Sequence, residues 1–251
     1  MKNLYGWKWQ DYEELCSTND EACKQSLTAD GGPFVITARR QTQGRGRRGR
    51  TWSSLEGNLF MSLALPLPPE KWHEVVFVVS LSLLQTVAAL APGLNLRLKW
   101  PNDVLLNGGK LSGILLEKGE AGYLIIGIGV NLSAAPQISG LIYPTICLKD
   151  VGLEVDRQTF LAAFLRQFNA GMELWRREGF ASIRDKWLEN VKGLDQQINV
   201  TTEKETKTGI FRGLSENGML LLEQDGNLIK ICAGDVFYLS RQKEKTERYH
   251  N

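Results

Sequence analysis

A short stretch of glycines and arginines is the part of this sequence best suited to binding an anion. Residues 44–50 read GRGRRGR, with four arginines among the last six positions. Glycine lets backbone N–H groups approach an anion closely, and arginine adds a planar fork that matches phosphate and carboxylate. Because neighbouring cationic side chains repel one another, the loop should stay mobile until a bound anion neutralises it. The stretch therefore predicts a phosphate- or carboxylate-binding loop that becomes ordered on ligand binding.

The same glycines formally satisfy the dinucleotide-binding pattern G-x-G-x-x-G. That interpretation requires a helix immediately after the glycines. Residues 51–58 instead read TWSSLEGN, which is not a helix start, and the sequence contains no Walker A pattern. A solvated basic loop or an arginine–glycine arm that binds RNA is the alternative. The position of the loop between two predicted strands argues against such an arm, because arms usually lie at chain termini.

A second group of polar residues surrounds a bend at residues 99–103, which read KWPND. Proline removes a backbone donor there, and Asn102 and Asp103 offer side-chain hydrogen bonds in a turn. Asp103 either caps this turn or orients a base, a ribose or a magnesium-bound phosphate. Lys110 opens the next predicted strand. It is either a solvated ammonium or a cation that stabilises the charge developing where a carboxylate meets a phosphate.

These candidate residues are positioned by a strand-rich chain. Thr18 and Glu21 form a capping-box pattern, which predicts a helix over residues 19–27. An apolar helix should end near Leu90, and two more are predicted at 156–177 and 180–189. Strands are predicted at residues 34–38, 58–65, 94–100, 104–106, 111–117 and 123–132. Because strands and helices do not alternate regularly, the order favours an α+β fold over repeated βαβ units.

A domain boundary is predicted at residues 191–194. From residue 197 onward, short apolar strands alternate with glycine-bearing turns, including Asn217-Gly218 and Asp225-Gly226. Such spacing predicts a small β-barrel or sandwich. We therefore expect a large domain over residues 1–192, a small domain over 193–240 and a charged, frayed tail over 241–251.

Composition excludes several classes of protein. A net charge of +2 provides no bulk electrostatic attraction to nucleic acid or to membranes. The chain has four scattered cysteines, without a C-x-x-C pair, and only two histidines, His73 and His250, so a zinc site or a disulfide framework is not expected. The N-terminal residues lack the apolar core of a secretory leader, and residues 75–92 fit a buried helix better than a membrane span. These features predict a cytoplasmic protein.

Taken together, the motifs resemble the biotin–protein ligase family. The resemblance lies in the segments at residues 17–19, 41–50, 99–103, 109–115 and 127–131, in the family's order, and in the C-terminal stretch GMLLLEQDG…AGDV. It implies an α+β catalytic domain with a mixed sheet, followed by an SH3-like barrel. It also implies binding of biotin and magnesium-ATP, formation of biotinyl-5′-AMP, and transfer of biotin to a lysine of a carrier protein.

Residue roles follow from the same resemblance. The catalytic residues would be Lys110, Arg45 and Arg47. Biotin would be bound by Ser17, Thr18, Asn19, Gln41, Gly44, Arg45, Gly46, Arg47, Lys110 and Gly113. The nucleotide would be bound by Arg47, Trp52, Asn102, Asp103, Lys110 and Asn131. No residue is assigned as a direct metal ligand.

The family resemblance also sets expectations about partners and rivals. The carrier would be a biotin carboxyl carrier protein, a subunit of acetyl-CoA carboxylase or a similar enzyme. Both monomers and homodimers occur among relatives. Some members have an N-terminal helix-turn-helix domain, but here the ligand-site serine is already Ser17, so no DNA binding by that route is expected. The main alternative assignment is a lipoate or octanoate ligase of the same fold. In those enzymes the glycine-rich segment is typically followed by a histidine rather than by arginines.

Overall fold

The computed structural model of this chain describes residues 2–137 and 144–238. The predicted tail at residues 241–251 lies outside the described residues, as do the last residues of the predicted small domain.

An eight-stranded sheet forms the larger part of the described chain. Its strands, in chain order, are β1 (Lys2–Leu4), β2 (Trp7–Leu15), β3 (Phe34–Gln41), β4 (Leu59–Pro66), β5 (Leu96–Lys99), β6 (Asp103–Leu106), β7 (Gly109–Lys118) and β8 (Tyr123–Val130). Their spatial order is β1-β2-β3-β4-β8-β7-β6-β5. The β2–β3 pair is parallel and the other neighbours are antiparallel. The predicted mixed sheet is therefore confirmed.

Helices cover both faces of this sheet. They are α1 (Thr18–Ser26), α2 (Trp72–Leu90), α3 (Arg157–Glu178) and α4 (Phe180–Asn190). Successive strand residues point to opposite faces, so Val35 belongs to the large core under α2, α3 and α4, whereas Ile36 packs in a smaller cluster with Ala22 of α1. The apolar segment Pro69–Leu90 is long enough to cross a membrane, but most of it is buried in this core.

Helix α1 connects the two parallel strands and fixes the position of the motifs around it. Strands β2 and β3 end side by side, with Leu15 opposite Gln41. The start of α1 follows β2, and the segment that leads into the basic loop follows β3. These two segments are therefore neighbours at the same end of the two strands. The cap of α1 differs from the predicted one, because Ser17 is the N-cap residue and accepts from the backbone N–H of Asn19. Thr18 is the first residue of the helix itself, and its hydroxyl donates to Gln41.

A second, smaller sheet follows the helices. It contains β9 (Gln197–Thr201), β10 (Thr206–Leu214), β11 (Leu220–Gln224), β12 (Asn227–Ile231) and β13 (Asp235–Tyr238), in the spatial order β12-β11-β10-β9-β13 and entirely antiparallel. This arrangement is consistent with an SH3-like small domain. It is not the closed barrel expected from the sequence, because within residues 197–238 β13 pairs with β9 while β12 stays at the opposite edge.

The sequence-based prediction missed β1 and β2. Strand β2 reads WKWQDYEEL, and its burial alternates only at the start. Most of its charged residues lie on its more exposed second half, beyond residues 7–9, the part of β2 that pairs with β1. A strand of this kind gives a weak apolar pattern, and its pairing with β3 depends on residues far away in sequence.

Candidate active site

One cavity of about 340 Å³ lies between the large sheet, the basic loop and the smaller sheet. Every site residue predicted from the sequence lines it except Gly44. Gly44 lies just behind the wall, because a Cβ on it would come within 2.8 Å of the Trp52 carbonyl oxygen. The additional lining residues, not predicted, include Arg50, Lys99, Gly127, Gly129, Asp235 and Phe237.

At one end of the cavity lies a buried cluster of neutral polar groups. Ser17, Thr18 and Asn19 are each less than 5% exposed. The Thr18 hydroxyl donates to Gln41 Oε1 at 3.1 Å, and that oxygen also accepts from the Thr18 backbone N–H at 2.8 Å. Ser62 of β4 lies 2.7 Å from the Thr18 hydroxyl and donates to Asn19 Oδ1. A buried network of this kind suits a neutral ligand with its own donors and acceptors.

Glycines form the floor beside this cluster. A Cβ on Gly127 would lie 2.4 Å from Asn19 Oδ1, and one on Gly129 would lie 2.3 Å from the Trp52 ring. Gly113 of β7 is similarly close to that ring, at 2.9 Å. These positions therefore accept only glycine while Asn19 and Trp52 keep their places. The repeated glycines in the otherwise apolar strand YLIIGIGV were the available clue in the sequence, since glycine inside a strand often marks a close approach.

The basic loop forms a tight turn along the wall of the cavity. Residues Arg47–Gly49 form one turn of 3-10 helix, and the Gly46 N–H donates to the Arg50 carbonyl at 2.6 Å. Arg48 has a φ of 55°, which is uncommon for a residue with a side chain.

Each arginine of the loop has a partner, so the repulsion expected from the sequence is offset. Arg45 contacts Asp20 of α1 and Glu117 of β7 at 2.6 and 3.0 Å. Arg48 and Arg50 share Asp235 of β13, at 3.1 and 2.6 Å.

Arg47 alone among these arginines contacts a neutral side chain, donating to Asn102 Oδ1 at 3.1 Å. Burial lowers the pKa of Arg47, whereas the hydrogen bonds to Asp20 and Glu117 raise the pKa of Arg45. Burial by itself would raise the pKa of Asp235, but its Arg50 hydrogen bond and the nearby guanidinium groups lower it. Arg47 therefore presents the least neutralised cation of the loop to the cavity.

Two lysines share one carboxylate at the opposite end of the cavity. Lys110 Nζ lies 2.7 Å from Asp103 Oδ1, and Lys99 Nζ lies 3.9 Å from Asp103 Oδ2. Burial lowers the pKa of Lys99 to about 8. Lys110 also lies over the Trp52 ring at 5.5 Å, and Lys99 lies 6.0 Å from the Phe237 ring. This end is cationic, partly desolvated and walled by the smaller sheet.

Apart from Asp103 Oδ1, which forms the ion pair with Lys110, two buried polar atoms of the cavity wall have no hydrogen-bond partner among the described residues. They are Trp52 Nε1, a donor, and Asn131 Oδ1, an acceptor. The amide nitrogen of Asn131 donates to the backbone of Lys110 and Ile146 at 3.3 and 3.2 Å. Because buried polar groups are normally paired, these two atoms are suited to contact a ligand.

The sequence reasoning missed the residues that the smaller sheet contributes. Asp235 and Phe237 lie in the last described strand, far along the chain from the other motifs. The stretch AGDV was part of the family resemblance, but nothing in its composition indicates that its aspartate reaches the basic loop. Lys99 stood inside the KWPND motif and was not assigned a role.

Known protein families match this chain along most of its length. Residues 15–131 match the biotin/lipoate A/B protein ligase family, and residues 193–239 match the biotin protein ligase C terminal domain. The chain is 37% identical to the biotin–[acetyl-CoA-carboxylase] ligase of Paracoccus denitrificans, over 88% of this chain and 97% of that protein. This chain belongs to the biotin–protein ligase family. The family predicted from the sequence motifs is thereby confirmed.

Solved ligase structures share the fold. The biotin protein ligase of Aquifex aeolicus in complex with biotin and ATP superposes with a TM-score of 0.80 at 27% identity, covering 92% of this chain and 97% of that one. The Leishmania major ligase in complex with biotinyl-5-AMP gives a TM-score of 0.64 at 27% identity, covering 90% and 99%. The predicted fold class is confirmed, with an open small sheet in place of a closed barrel.

Proposed function

We propose that this chain is an ATP-dependent ligase that activates biotin as biotinyl-5′-AMP and transfers it to a lysine of a biotin carboxyl carrier protein. One observation carries the proposal: a buried neutral polar cluster and a cationic cluster lie at opposite ends of a single cavity of about 340 Å³. Biotin has the matching asymmetry, with a neutral ureido ring at one end and a carboxylate at the other. The ligases named above support the same substrate and the same activation by ATP.

In this proposal the ureido ring binds beside α1. Its N–H and C=O groups need paired acceptors and donors, which Ser17, Thr18, Asn19 and Gln41 supply. Gly127 and Gly129 let Asn19 and Trp52 lie directly against β8, because any side chain there would meet them, and so keep both side chains in place beside the ring. The valeryl chain then runs toward Lys110, which brings the carboxylate to the cationic end.

Adenylation takes place where the carboxylate meets the α-phosphate of ATP. A carboxylate oxygen forms a bond to phosphorus while the bond to the pyrophosphate oxygen breaks, and both electrons leave with pyrophosphate. Lys110 and Arg47 stabilise the negative charge that accumulates on the phosphoryl oxygens. Asn131 and Trp52 contribute the unpaired acceptor and donor toward the nucleotide or the adenylate.

Magnesium fits this end as a companion of ATP. In residues 2–137 and 144–238 no group of three or more His, Cys, Asp or Glu residues could hold a metal ion by itself. Asp103 offers carboxylate oxygens within the cavity, between two lysines. When bound to ATP, Mg²⁺ neutralises phosphate charge and orients the phosphates for displacement. We propose that Asp103 helps to orient this bound nucleotide.

Transfer uses the carrier lysine as nucleophile. Its neutral ε-amine attacks the acyl carbon, the C–N bond forms, and the C–O bond to AMP breaks. The attacking nitrogen loses one proton, and AMP leaves as an anion. The mixed anhydride is vulnerable to water, so the basic loop should close over it and exclude water until the carrier arrives.

The deciding experiment is the intact mass of a biotin carboxyl carrier domain after incubation with this protein, magnesium-ATP and either biotin or lipoate. We expect a gain of one biotinyl group that requires ATP and disappears when the acceptor lysine of the carrier is replaced by arginine. A gain with lipoate alone would transfer the assignment to the lipoate ligase alternative. No gain with either acid, using a carrier that a known ligase modifies, would contradict the proposal.

The remaining expectations concern the setting of the enzyme. We propose a cytoplasmic location, which agrees with four cysteines that are all free thiols: Cys16, Cys23, Cys147 and Cys232. Sedimentation velocity with and without the adenylate would distinguish a monomer from a homodimer.

A further inference from the structure

The guanidinium group of Arg45 is almost fully occupied by two carboxylates. Its Nε and Nη2 donate to Glu117 at 3.1 and 3.0 Å, and its Nη1 and Nη2 donate to Asp20 at 3.0 and 2.6 Å. A guanidinium has five N–H donors, so one remains. The side chain of Arg45 therefore fastens the basic loop to α1 and β7, and it has little capacity left to clamp an anion.

Glu117 has a second partner that matters more for the ligand. Its Oε2 also accepts from Asn19 Nδ2 at 2.6 Å. On its other side, Asn19 Oδ1 accepts from the Ser62 hydroxyl. These two contacts fix which way the buried amide faces, since an amide nitrogen can only donate and an amide oxygen can only accept. Within residues 2–137 and 144–238, Glu117 is the group that accepts from the side-chain nitrogen of Asn19 and holds it in that direction.

We infer that Glu117 is a positioning residue for the proposed biotin site, where one carboxylate both holds the basic loop closed through Arg45 and orients the Asn19 amide toward the ureido ring. This inference rests on the proposed function and deepens it. It also makes Arg45 a tether of the loop, so that Arg47 is the loop arginine that contacts the reacting anion.

Three substitutions separate the two tasks of Glu117. Glu117→Ala removes both contacts. Glu117→Gln keeps an acceptor for Asn19 but turns an amide toward the guanidinium, so it should weaken only the tether. Asp20→Asn weakens the other half of the tether and leaves Asn19 untouched. The side chains of Arg45, Asp20 and Glu117 are 36%, 52% and 31% exposed, so the variants should fold, because such exposed pairs contribute little to stability.

The experiment combines hydrogen exchange of residues 44–50 in the unliganded protein with calorimetric titration of biotin. All three variants should exchange faster than wild type in this loop. The biotin Kd should rise about tenfold or more for Glu117→Ala, as expected when a hydrogen bond to a charged group is lost. It should rise less than about threefold for Asp20→Asn and for Glu117→Gln. Glu120→Ala is the matched control, because Glu120 is an exposed glutamate in the turn just after β7, and it should leave both readouts unchanged.

Three results would overturn the inference. Glu117→Ala with wild-type loop exchange would show that no tether exists. Glu117→Ala with a wild-type biotin Kd, or with the same Kd as Asp20→Asn, would show that the carboxylate does not orient Asn19. If the wild-type protein fails to bind biotin, the proposed function itself fails. In that case the unliganded exchange comparison still decides whether Glu117 holds the loop.

Discussion

Replacing Gly127 by alanine tests whether the glycine floor is needed to place the polar cluster. The added Cβ would lie 2.4 Å from Asn19 Oδ1, whereas ordinary contact begins at 3.4 Å, so the amide must move by about 1 Å. A shift of that size would lengthen the 2.6 Å bond from Asn19 to Glu117 beyond hydrogen-bonding range. Losing a hydrogen bond to a charged group costs about 1.5–3 kcal/mol. We therefore expect the biotin Kd to rise roughly 10- to 100-fold.

Isothermal titration of biotin into Gly127→Ala measures this change directly. The matched control is Gly32→Ala, because a Cβ there would meet its nearest neighbour, Asp30 Oδ1, at an acceptable 3.5 Å. The control should bind biotin like wild type. An unchanged biotin Kd in Gly127→Ala, in a protein that retains its thermal midpoint, would refute the placement of the ureido ring beside Asn19.

Four further predictions concern the cationic end and the loop. Lys110→Ala should lower biotin-dependent pyrophosphate release by about 100-fold or more while the thermal midpoint stays within a few degrees; undiminished release would remove Lys110 from the mechanism. The buried Lys99, with its pKa lowered to about 8, binds fewer protons when folded than when unfolded, so the free energy of unfolding should rise with pH from 8 toward the unfolded pKa. Urea titrations at both ends of that window should show this rise in wild type and not in Lys99→Met; parallel behaviour of the two proteins would contradict it. Residues 45–50 should exchange amide hydrogens more slowly with bound adenylate than without it, and equal protection in both states would argue against ligand-induced closure. In Asp235→Asn the same loop should exchange faster without ligand, since its two arginine partners lose a shared carboxylate; exchange at the wild-type rate would mean that the smaller sheet does not restrain the loop.

The sequence was most informative where a residue type has few alternative uses. The glycine–arginine loop, Lys110 and the KWPND bend were all recognisable as candidate ligand contacts, and they do lie around one cavity. Helix α1 was also predicted to within one residue at each end. These features depend on local chemistry, which is readable along the chain.

The partners of the loop arginines were not predictable in the same way. Asp20, Glu117 and Asp235 are exposed-looking acidic residues in three separate elements, and only the folded register brings them to the loop. The sequence analysis expected the arginines to repel one another, because it did not anticipate that these carboxylates would pair with them. The sequence also did not predict that the smaller sheet is open, since strand lengths alone do not decide which edge strand β13 pairs with.

The parallel pairing of β2 and β3 has a practical consequence for protein engineering. Both strands end at the ligand cavity. The turn that returns the chain from α1 to the start of β3 therefore lies at the opposite end of these strands. Strand β3 has eight residues, which at about 3.3 Å per residue places that turn roughly 23 Å from Gln41. Residues 27–31 are mostly exposed, and two of them, Asp30 and Gly31, are of types that favour turns. This turn is therefore the place to insert a reporter, to open new termini or to divide the enzyme into two complementing fragments while the cavity remains intact.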